Sequence, residues 1–365
     1  MRLTLHHKKS LKQSCLVFGN PLFFLLIFFS PIFSDFAGIS LLHAATRPPI
    51  TPAAPVQVLP APVALVAPAS FDAVAPAIDA SWQTLLARLK EDGLQGQDIE
   101  GWFAALTNPY SEKPMGQKVS AAFRSRYIFP PFTFLRKPRK ATPLYQDTVT
   151  PERIRKSAEY ILANPAVFAG IESEYKVEKE VVAALFMVET KLGTYLGVEL
   201  AFWSLACMAL ADRPEQIQSY LDALPMTEER LSWVKERLQS RSDWAYKELK
   251  AFIEYCRTNQ HNPLNITGSP VGAIGLCQFM PSNIAPYAAD GNKDGRIDLF
   301  SVEDALPSIA SYLVKHGWKN TLSRRQRFAV IRRYNHSDIY ANTILSLADG
   351  IGVYLKNAAK KPSAK

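Results

Sequence analysis

Residues 178–193 of the chain read EKEVVAALFMVETKLG, and this stretch decides the fold that we expect. Apolar residues recur through it at the spacing of a buried helix, so that Val182, Leu185 and Glu189 fall on one side. A carboxyl group among hydrocarbon side chains is desolvated, which raises its pKa toward the value that suits a general acid near neutral pH. Glu189 is therefore the candidate general acid. The structural alternative is a helix-end glutamate that bonds to a cap or pairs with Lys191.

The helical pattern extends over most of the chain. Apolar residues recur at helical spacing from near Ser81, where Asp92-Gly93 closes the first segment, and again after the helix opening at Thr150-Pro151. Residues 213–240 form a charged helical excursion, and strand-like alternation is scarce. The sequence therefore predicts a mainly α fold.

The first 45 residues have the pattern of an export signal. Basic Lys8, Lys9 and Lys12 precede an almost wholly apolar run over residues 16–33, and Ala44-Ala45 follows it. The residues before the candidate cleavage bonds are poor ones, so an uncleaved membrane anchor of ~20 residues is an open alternative. Both interpretations predict a protein that leaves the cytoplasm.

Two proline-rich stretches interrupt the helical pattern. Residues 47–80 are dominated by Pro, Ala and Val, a composition that favours an extended spacer with few packing anchors. Residues 127–143 hold too many prolines for a helix, and we expect an ordered loop there.

Charge and cysteine usage exclude several classes of protein. Removing the N-terminal segment takes away four basic residues and Asp35, which lowers the formal net charge from +9 to +6. A net positive charge suits a partner that is an anionic polymer, a membrane surface or nucleic acid. The basic cluster at 324–333 belongs to no recognised nucleic-acid-binding module, so we expect no nucleic-acid partner. Cys207, Cys256 and Cys277 lack C-x-x-C spacing and no H-E-x-x-H occurs, so we expect buried free thiols and no zinc site.

A glycine-rich segment follows in the second half of the chain. Residues 268–282 read GSPVGAIGLCQFMPS, and this density of glycine indicates close approach of the backbone or positive φ angles. Such a turn would present Ser269 and Gln278 to a cleft. A tight core turn without a ligand is the alternative.

Residues 290–298 read DGNKDGRID and match a calcium-binding loop, with a glycine at its sixth position. The twelfth position, where a bidentate glutamate is expected, holds Ser301. The alternative to a calcium loop is an Asx-rich turn that caps the next helix. The candidate ligands, by side chain or main-chain carbonyl, are Asp290, Asn292, Asp294, Arg296 and Asp298.

Near the C-terminus, residues 332–341 read RRYNHSDIYA. Aromatic faces and amide groups such as those of Tyr334 and Asn335 suit sugar rings, which offer an apolar face and many hydroxyls. A helix N-cap with buried aromatic residues is the alternative.

Taken in order, the segments VETKLG, GSPVGAIGLCQFMPS, DGNKDGRIDL, SYLVKHGW and RYNHSDIYA resemble the membrane-bound lytic murein transglycosylase B family over roughly residues 150–355. The resemblance implies a lysozyme-like, α-rich domain with a deep glycan groove. It implies that Glu189 is the only catalytic carboxylate and that the enzyme cuts the MurNAc-GlcNAc β-1,4 bond of peptidoglycan, leaving 1,6-anhydro-MurNAc ends. A hydrolytic muramidase of the same fold and a non-catalytic peptidoglycan-binding protein are the alternatives.

The resemblance also implies roles for individual residues. Ser269 would hydrogen-bond Glu189 and the substrate, Gln278 would bind sugar, and Tyr334 and Asn335 would line the groove. Tyr145 lies one residue out of register with a ring-binding tyrosine of the family, Trp244 takes another tyrosine position, and the excursion at 213–240 is longer than the family leads us to expect.

The resulting expectations cover organisation, cofactors and partners. The chemistry would need no cofactor, the calcium would be structural, and the partners would be periplasmic glycan strands, the inner membrane through the N-terminus and other cell-wall enzymes. The predicted segments are a signal peptide or membrane anchor (1–45), a Pro/Ala-rich linker (46–80), an N-terminal helical region (81–145), a lytic transglycosylase catalytic domain (146–358) and a basic tail (359–365).

Overall fold

The computed structural model describes residues 78–128, 143–145 and 147–360. The predicted signal or anchor, nearly all of the linker, most of the proline-rich loop and residues 361–365 of the tail lie outside the described residues, as does Cys15. The described part is mainly α, as predicted. Its α-helices are α1 (Ala80–Glu91), α2 (Gln97–Ala105), α3 (Lys113–Phe123), α4 (Pro151–Ala163), α5 (Pro165–Tyr175), α6 (Lys179–Thr190), α7 (Ala201–Leu210), α8 (Gln218–Leu221), α9 (Glu228–Asn259), α10 (Ile284–Tyr287), α11 (Val302–Lys315), α12 (Arg324–Tyr334) and α13 (Asp338–Lys360).

Local sequence signals explain where several helices begin and end. Helix α4 begins at Pro151, and the hydroxyl of Thr150 accepts a hydrogen bond from the Arg153 N–H at 3.2 Å. Helix α1 ends before Asp92, as predicted. The charged excursion is largely helical: a 3₁₀ turn at Pro214–Ile217 and α8 lead into α9, which runs for 32 residues.

The core is continuous through the described residues. Helix α9 packs against α7, and the three helices α4, α6 and α13 pack against one another. Aromatic rings join the N-terminal helices to this core, with centroid distances of 5.9 Å from Trp82 to Phe103, 4.9 Å from Phe103 to Phe202 and 6.3 Å from Phe202 to Phe252. The N-terminal helical region therefore shares its interior with the larger helical body.

Two short strands bring the glycine-rich segment to the end of α6. Strand β1 (Glu199–Leu200) pairs antiparallel with β2 (Thr267–Gly268), with Glu199 opposite Gly268. At Gly197, where φ is +103°, a Cβ atom would meet the carbonyl oxygen of Gly268 at 2.0 Å. The predicted close approach of backbone is confirmed here, because only glycine fits at this contact.

The described residues test the prediction of buried free thiols. Cys207, Cys256 and Cys277 are buried and free, as predicted. Among the helices within 78–360 that the structure describes, none combines the length and the apolar character needed to cross a membrane.

Candidate active site

Glu189 is the penultimate residue of α6, a helix whose residues from Val181 to Met187 are all buried. The next residue, Thr190, anchors this helix end, because its hydroxyl bonds the carbonyls of Phe186 and Leu276 and accepts the Gly193 N–H at 3.1 Å. The hydrophobic pattern of the sequence thus places Glu189 at the junction between α6 and the glycine-rich segment.

Glu189 as a whole residue is partly exposed, but burial of its carboxyl raises the pKa from 4.5 to about 7. The hydroxyl of Tyr340 donates a hydrogen bond to Oε1 of Glu189, and this bond lowers the pKa against the effect of burial. Burial and Tyr340 are the two influences on this pKa, and no second carboxylate of the described residues acts on it. Glu189 is therefore poised to carry a proton near neutral pH.

The structure does not contain the alternative arrangement, in which Glu189 would pair with Lys191 at the surface. Lys191 adopts a left-handed conformation with φ of +54°, and its ammonium lies 5.3 Å from the ring centre of Tyr195. Among the described residues, the ion pairs do not include Glu189.

Tyr340 is the contact that sequence reasoning missed. Tyr340 lies within the segment RRYNHSDIYA, but the sequence does not predict that it bonds Glu189. Tyr340 lies in the first turn of α13, the helix that packs against α6, and is 1% exposed.

Two predicted tyrosines gather around the same carboxyl. Burial raises the pKa of Tyr145 although the phenol bonds Ser337, and the charge of Glu189 adds to the rise. Burial likewise holds the pKa of Tyr334 well above its ordinary value, and the charge of Glu189 again contributes. The Tyr334 hydroxyl donates to the carbonyl of Cys277 at 2.5 Å. The structure therefore brings Tyr145 and Tyr334 together with Glu189.

The glycine-rich segment holds its two predicted residues in defined positions. The hydroxyl oxygen of Ser269 accepts the Ala273 N–H at 3.0 Å, and among the described residues it makes no hydrogen bond to Glu189. The side-chain amide of Gln278 donates to the carbonyls of Gly275 at 3.0 Å and Leu196 at 3.2 Å. The proton of the Ser269 hydroxyl and the amide oxygen of Gln278 remain available to a ligand.

The remaining two predicted sugar-binding residues occupy different surroundings. Asn335, which is 5% exposed, directly follows α12 and Tyr334. Trp244 lies on α9, where its indole bonds the carboxylate of Glu248, a buried group that also accepts the N–H and hydroxyl of Ser282, each at 2.8 Å. Trp244 is not among the groups that act on the pKa of Glu189.

The candidate calcium loop brings only part of its predicted ligand set together. Asp290 accepts the backbone N–H groups of Asp294 and Gly295, and Asn292 bonds the Asp294 carboxylate at 3.1 Å. Asp298 instead accepts the N–H of Phe300 at 2.8 Å and lies 3.8 Å from Nε2 of His261.

A buried carboxylate outside the predicted set completes the fold of this loop. Asp304 is fully buried and accepts the N–H groups of Gly291 at 2.9 Å and Asp298 at 2.7 Å. Ser301, at the twelfth position, donates its hydroxyl to Glu303. No three His, Cys, Asp or Glu side chains in the described parts of the chain are placed to share a metal ion, so Asp290, Asn292 and Asp294 fit calcium only as a partial set.

Two surface cavities of about 340 and 750 Å³ lie elsewhere, where Asp212 and Arg213 line both of them. None of the predicted site residues lines either cavity. We therefore locate the candidate chemistry at Glu189, where the raised pKa and the hydrogen bond from Tyr340 coincide, and not in these two cavities.

Comparison with known proteins found a family match. Residues 77–326 match the family profile of the transglycosylase SLT domain. The chain is 31% identical over 144 residues to the membrane-bound lytic murein transglycosylase B of Escherichia coli, a match that covers 40% of this chain and about a third (33%) of that relative.

Two solved structures share the fold. The Escherichia coli lytic transglycosylase Slt35 in complex with calcium is 19% identical, with a TM-score of 0.53 over 76% of this chain and 94% of that one. Pseudomonas aeruginosa SltB3 in complex with NAG-anhNAM-pentapeptide is also 19% identical, with a TM-score of 0.53 over 75% of this chain and 80% of that one. At this identity the likeness concerns the fold alone. Because the profile matches more than half of the chain, and because the motifs had carried the same resemblance, the protein belongs to the transglycosylase SLT domain family.

Proposed function

We propose that the protein is a lytic murein transglycosylase, which cuts the MurNAc-GlcNAc β-1,4 bond of peptidoglycan and leaves 1,6-anhydro-MurNAc ends. The observation that carries the proposal is Glu189 itself: burial raises its pKa to about 7, and no second carboxylate of the described residues acts on it. Most glycosidases that use water or a covalent intermediate employ two carboxylates. A single carboxyl that can both give and take a proton suits a reaction in which the substrate supplies its own nucleophile.

In the first step, protonated Glu189 donates its proton to the oxygen between MurNAc and GlcNAc. The bond from that oxygen to C1 of MurNAc breaks, and the GlcNAc portion leaves as an alcohol. Glu189 is then a carboxylate, and the hydrogen bond from Tyr340 stabilises it. The burial that kept the proton on Glu189 does so by raising its pKa. The same raised pKa makes the new carboxylate a stronger base.

In the second step, the Glu189 carboxylate removes the proton from the C6 hydroxyl of the same MurNAc. The freed oxygen forms a bond to C1, which closes the 1,6-anhydro ring and restores protonated Glu189. One C–O bond has broken and one has formed, the proton has returned to Glu189, and no water is consumed.

The surrounding residues would hold the sugar for both steps. Ser269 is fixed by the Ala273 N–H and can turn its own proton toward Glu189 or a sugar hydroxyl. Gln278 and Asn335 offer amide groups, Tyr145 and Tyr334 offer aromatic faces, and we assign Trp244 to a more distant part of the groove. The assignments of Ser269, Gln278, Tyr334 and Asn335 rest on the matching motifs, and that of Tyr145 is supported by the effect of Glu189 on its pKa.

Product mass tests the proposal directly. The full chain is incubated with purified peptidoglycan, and the soluble muropeptides are weighed beside those released by Glu189→Gln and by the matched control Glu180→Gln in the first turn of the same helix. Products lighter by one water than the hydrolytic ones, lost only in Glu189→Gln, are expected. Fully hydrated products would make the protein a muramidase, and no release by the wild type would favour the non-catalytic binding protein.

We place the protein in the cell envelope, where it would be periplasmic and either released or anchored to the inner membrane by residues 1–45. The membrane-bound relative supports an envelope location for a chain with an export pattern at its N-terminus. Its partners there would be peptidoglycan strands and other cell-wall enzymes.

We also propose that residues 290–298 bind a structural calcium ion, with no part in the chemistry. The grouping of Asp290, Asn292 and Asp294 supports this, as does Gly295, whose φ of +86° permits the sharp turn that such loops need. Slt35, which has the same fold, was solved with calcium. The main-chain carbonyl of Arg296 and the side chain of Asp298 would complete the ligands if Asp298 turned away from Phe300.

A further inference from the structure

A cluster of arginine and aromatic side chains lies on the first half of α9 and on the π-helical turn directly after α3. We call it the basic aromatic patch. The turn supplies Arg126 and Tyr127, and one face of α9 supplies Arg230, Trp233 and Arg237, at the spacing i, i+3 and i+7. The rings of Tyr127 and Trp233 meet edge to face, with 5.5 Å between their centroids. The two segments therefore form one surface.

Guanidinium groups lie over both rings of the patch. That of Arg126 is 5.3 Å from the ring centre of Tyr127 and 5.8 Å from that of Trp233. Arg230 lies 5.2 Å from the Tyr127 ring, and Arg237 lies 6.0 Å from the Trp233 ring. Because cations already lie over these rings, the rings are poor platforms for stacking a sugar or a base. A guanidinium over a ring can still donate its N–H groups to an anion.

The positive charge of the patch is not balanced by ion pairs within the described residues. The ion pairs there do not include Arg126, Arg230 or Arg237. Arg230 donates to the carbonyl of Pro225, a neutral acceptor, at 2.5 Å. Burial lowers the pKa of Arg237, and no acidic group among the described residues opposes this effect. Glu236 lies beside the larger surface cavity, on another side of α9. The patch therefore suits an anionic partner.

An anionic phospholipid surface has the chemistry that fits this combination. Its headgroups carry phosphate, which arginine binds through several N–H groups, and Trp and Tyr rings settle at the level of the headgroups. Residues 129–140, which lie outside the described residues, read FPPFTFLRKPRK, so the sequence directly after Ile128 has the same mixture of aromatic and basic residues. The export pattern of residues 1–45 would bring the chain to a membrane.

We propose that the basic aromatic patch binds the folded body to an anionic phospholipid surface, separately from any attachment through residues 1–45. The arginines pair with headgroup phosphates, and Tyr127 and Trp233 pack at headgroup level. This inference rests on the proposed envelope location but not on the reaction at Glu189. Hydrated muropeptides would overturn the proposed reaction and leave membrane binding by the patch intact.

A reporter on the patch distinguishes this binding from attachment through the N-terminus. The full chain with Cys15→Ser receives one exposed cysteine, Ser125→Cys, which is labelled with an environment-sensitive fluorophore; the three cysteines of the described residues are buried. The protein is mixed with vesicles of phosphatidylcholine alone or of phosphatidylcholine and phosphatidylglycerol in equal parts. Both vesicles can hold an apolar N-terminal segment, but only the anionic vesicles should shift the reporter emission to shorter wavelength, and high salt should reverse the shift.

Matched variants test the residues of the patch. Arg126→Gln should lower the ratio of bound to unbound reporter about fivefold, the scale of one basic residue at an anionic surface. Arg155→Gln, which removes an exposed arginine paired with Glu159 on α4, should leave the ratio unchanged. The same label at Ser240→Cys, an exposed position beside the larger cavity, should show no shift.

Three outcomes would overturn the inference. The first is an equal shift with both kinds of vesicle, and the second is a shift that survives Arg126→Gln combined with Arg230→Gln in a protein whose circular dichroism matches the wild type. The third is the same shift with inorganic phosphate in the absence of vesicles, which would make the patch a site for a free anion.

Discussion

The raised pKa of Glu189 means that this residue should destabilise the folded protein above neutral pH. Its pKa is about 7 in the fold against 4.5 for the free side chain, a difference of about 2.5 units, and each unit corresponds to about 1.4 kcal/mol. The folded state therefore favours the protonated form. The resulting stability is fully present below pH 4.5 and is lost as the pH rises through about 7, with a total change of about 3 kcal/mol.

Glu189→Gln removes this dependence, because glutamine has nearly the shape of the protonated acid and cannot ionise. Chemical denaturation at pH 5 and pH 8 measures the effect. The quantity to compare is the free energy of unfolding of Glu189→Gln minus that of the wild type. This difference should be about 2–3 kcal/mol larger at pH 8 than at pH 5. It is slightly smaller than the full change, because the wild type has already lost part of its stability at pH 5. Glu180→Gln, measured in parallel, controls for the loss of one negative charge on α6. A constant difference between Glu189→Gln and the wild type across this range would refute the reasoning that burial controls the Glu189 proton.

Three further outcomes are expected. Tyr340→Phe removes the hydrogen bond that lowers the pKa of Glu189. The alkaline limb of the pH profile of kcat/KM should therefore move to higher pH by about one unit. An unmoved limb would show that Tyr340 does not act on this proton. Calcium at millimolar concentration should raise the Tm of the wild type but not of Asp290→Asn, and a chelator should reverse the rise; equal curves would remove the calcium proposal. Gly197→Ala forces a Cβ atom against the Gly268 carbonyl at a φ of +103° and should lower stability by about 2 kcal/mol or more in thermal denaturation, whereas Gly93→Ala, where φ is +81° but no atom lies within 4 Å, should cost less.

The sequence was most informative where one physical cause acts locally. Helical spacing predicted the buried helix that carries Glu189, and the serine, threonine and proline signals at residues such as Thr150 fix helix ends because capping involves only neighbouring residues. The density of glycine around Gly268 predicted close backbone contact, which the pairing with β1 confirms.

Contacts between distant segments were harder to predict. Tyr340 lies 151 residues from its partner Glu189, and no local pattern indicates which of several tyrosines reaches the carboxyl. Asp304 stabilises the 290–298 loop from within the next helix, beyond the span in which a calcium-loop pattern looks for carboxylates. The orientation of Ser269 toward Ala273 depends on the fold of its own turn, which residue types alone do not determine.

The row of rings from Trp82 through Phe103 to Phe202 makes the N-terminal helices and the larger helical body depend on each other. Cutting the protein after residue 128 would leave Trp82 and Phe103 without the surface that covers them, and it would open the interior beside Phe202 to water. The N-terminal helices are thus not an accessory that can be removed to isolate a smaller catalytic fragment. Residues 78–360 should melt in a single cooperative transition, and a shortened protein that begins near residue 146 should fail to reach the same folded state.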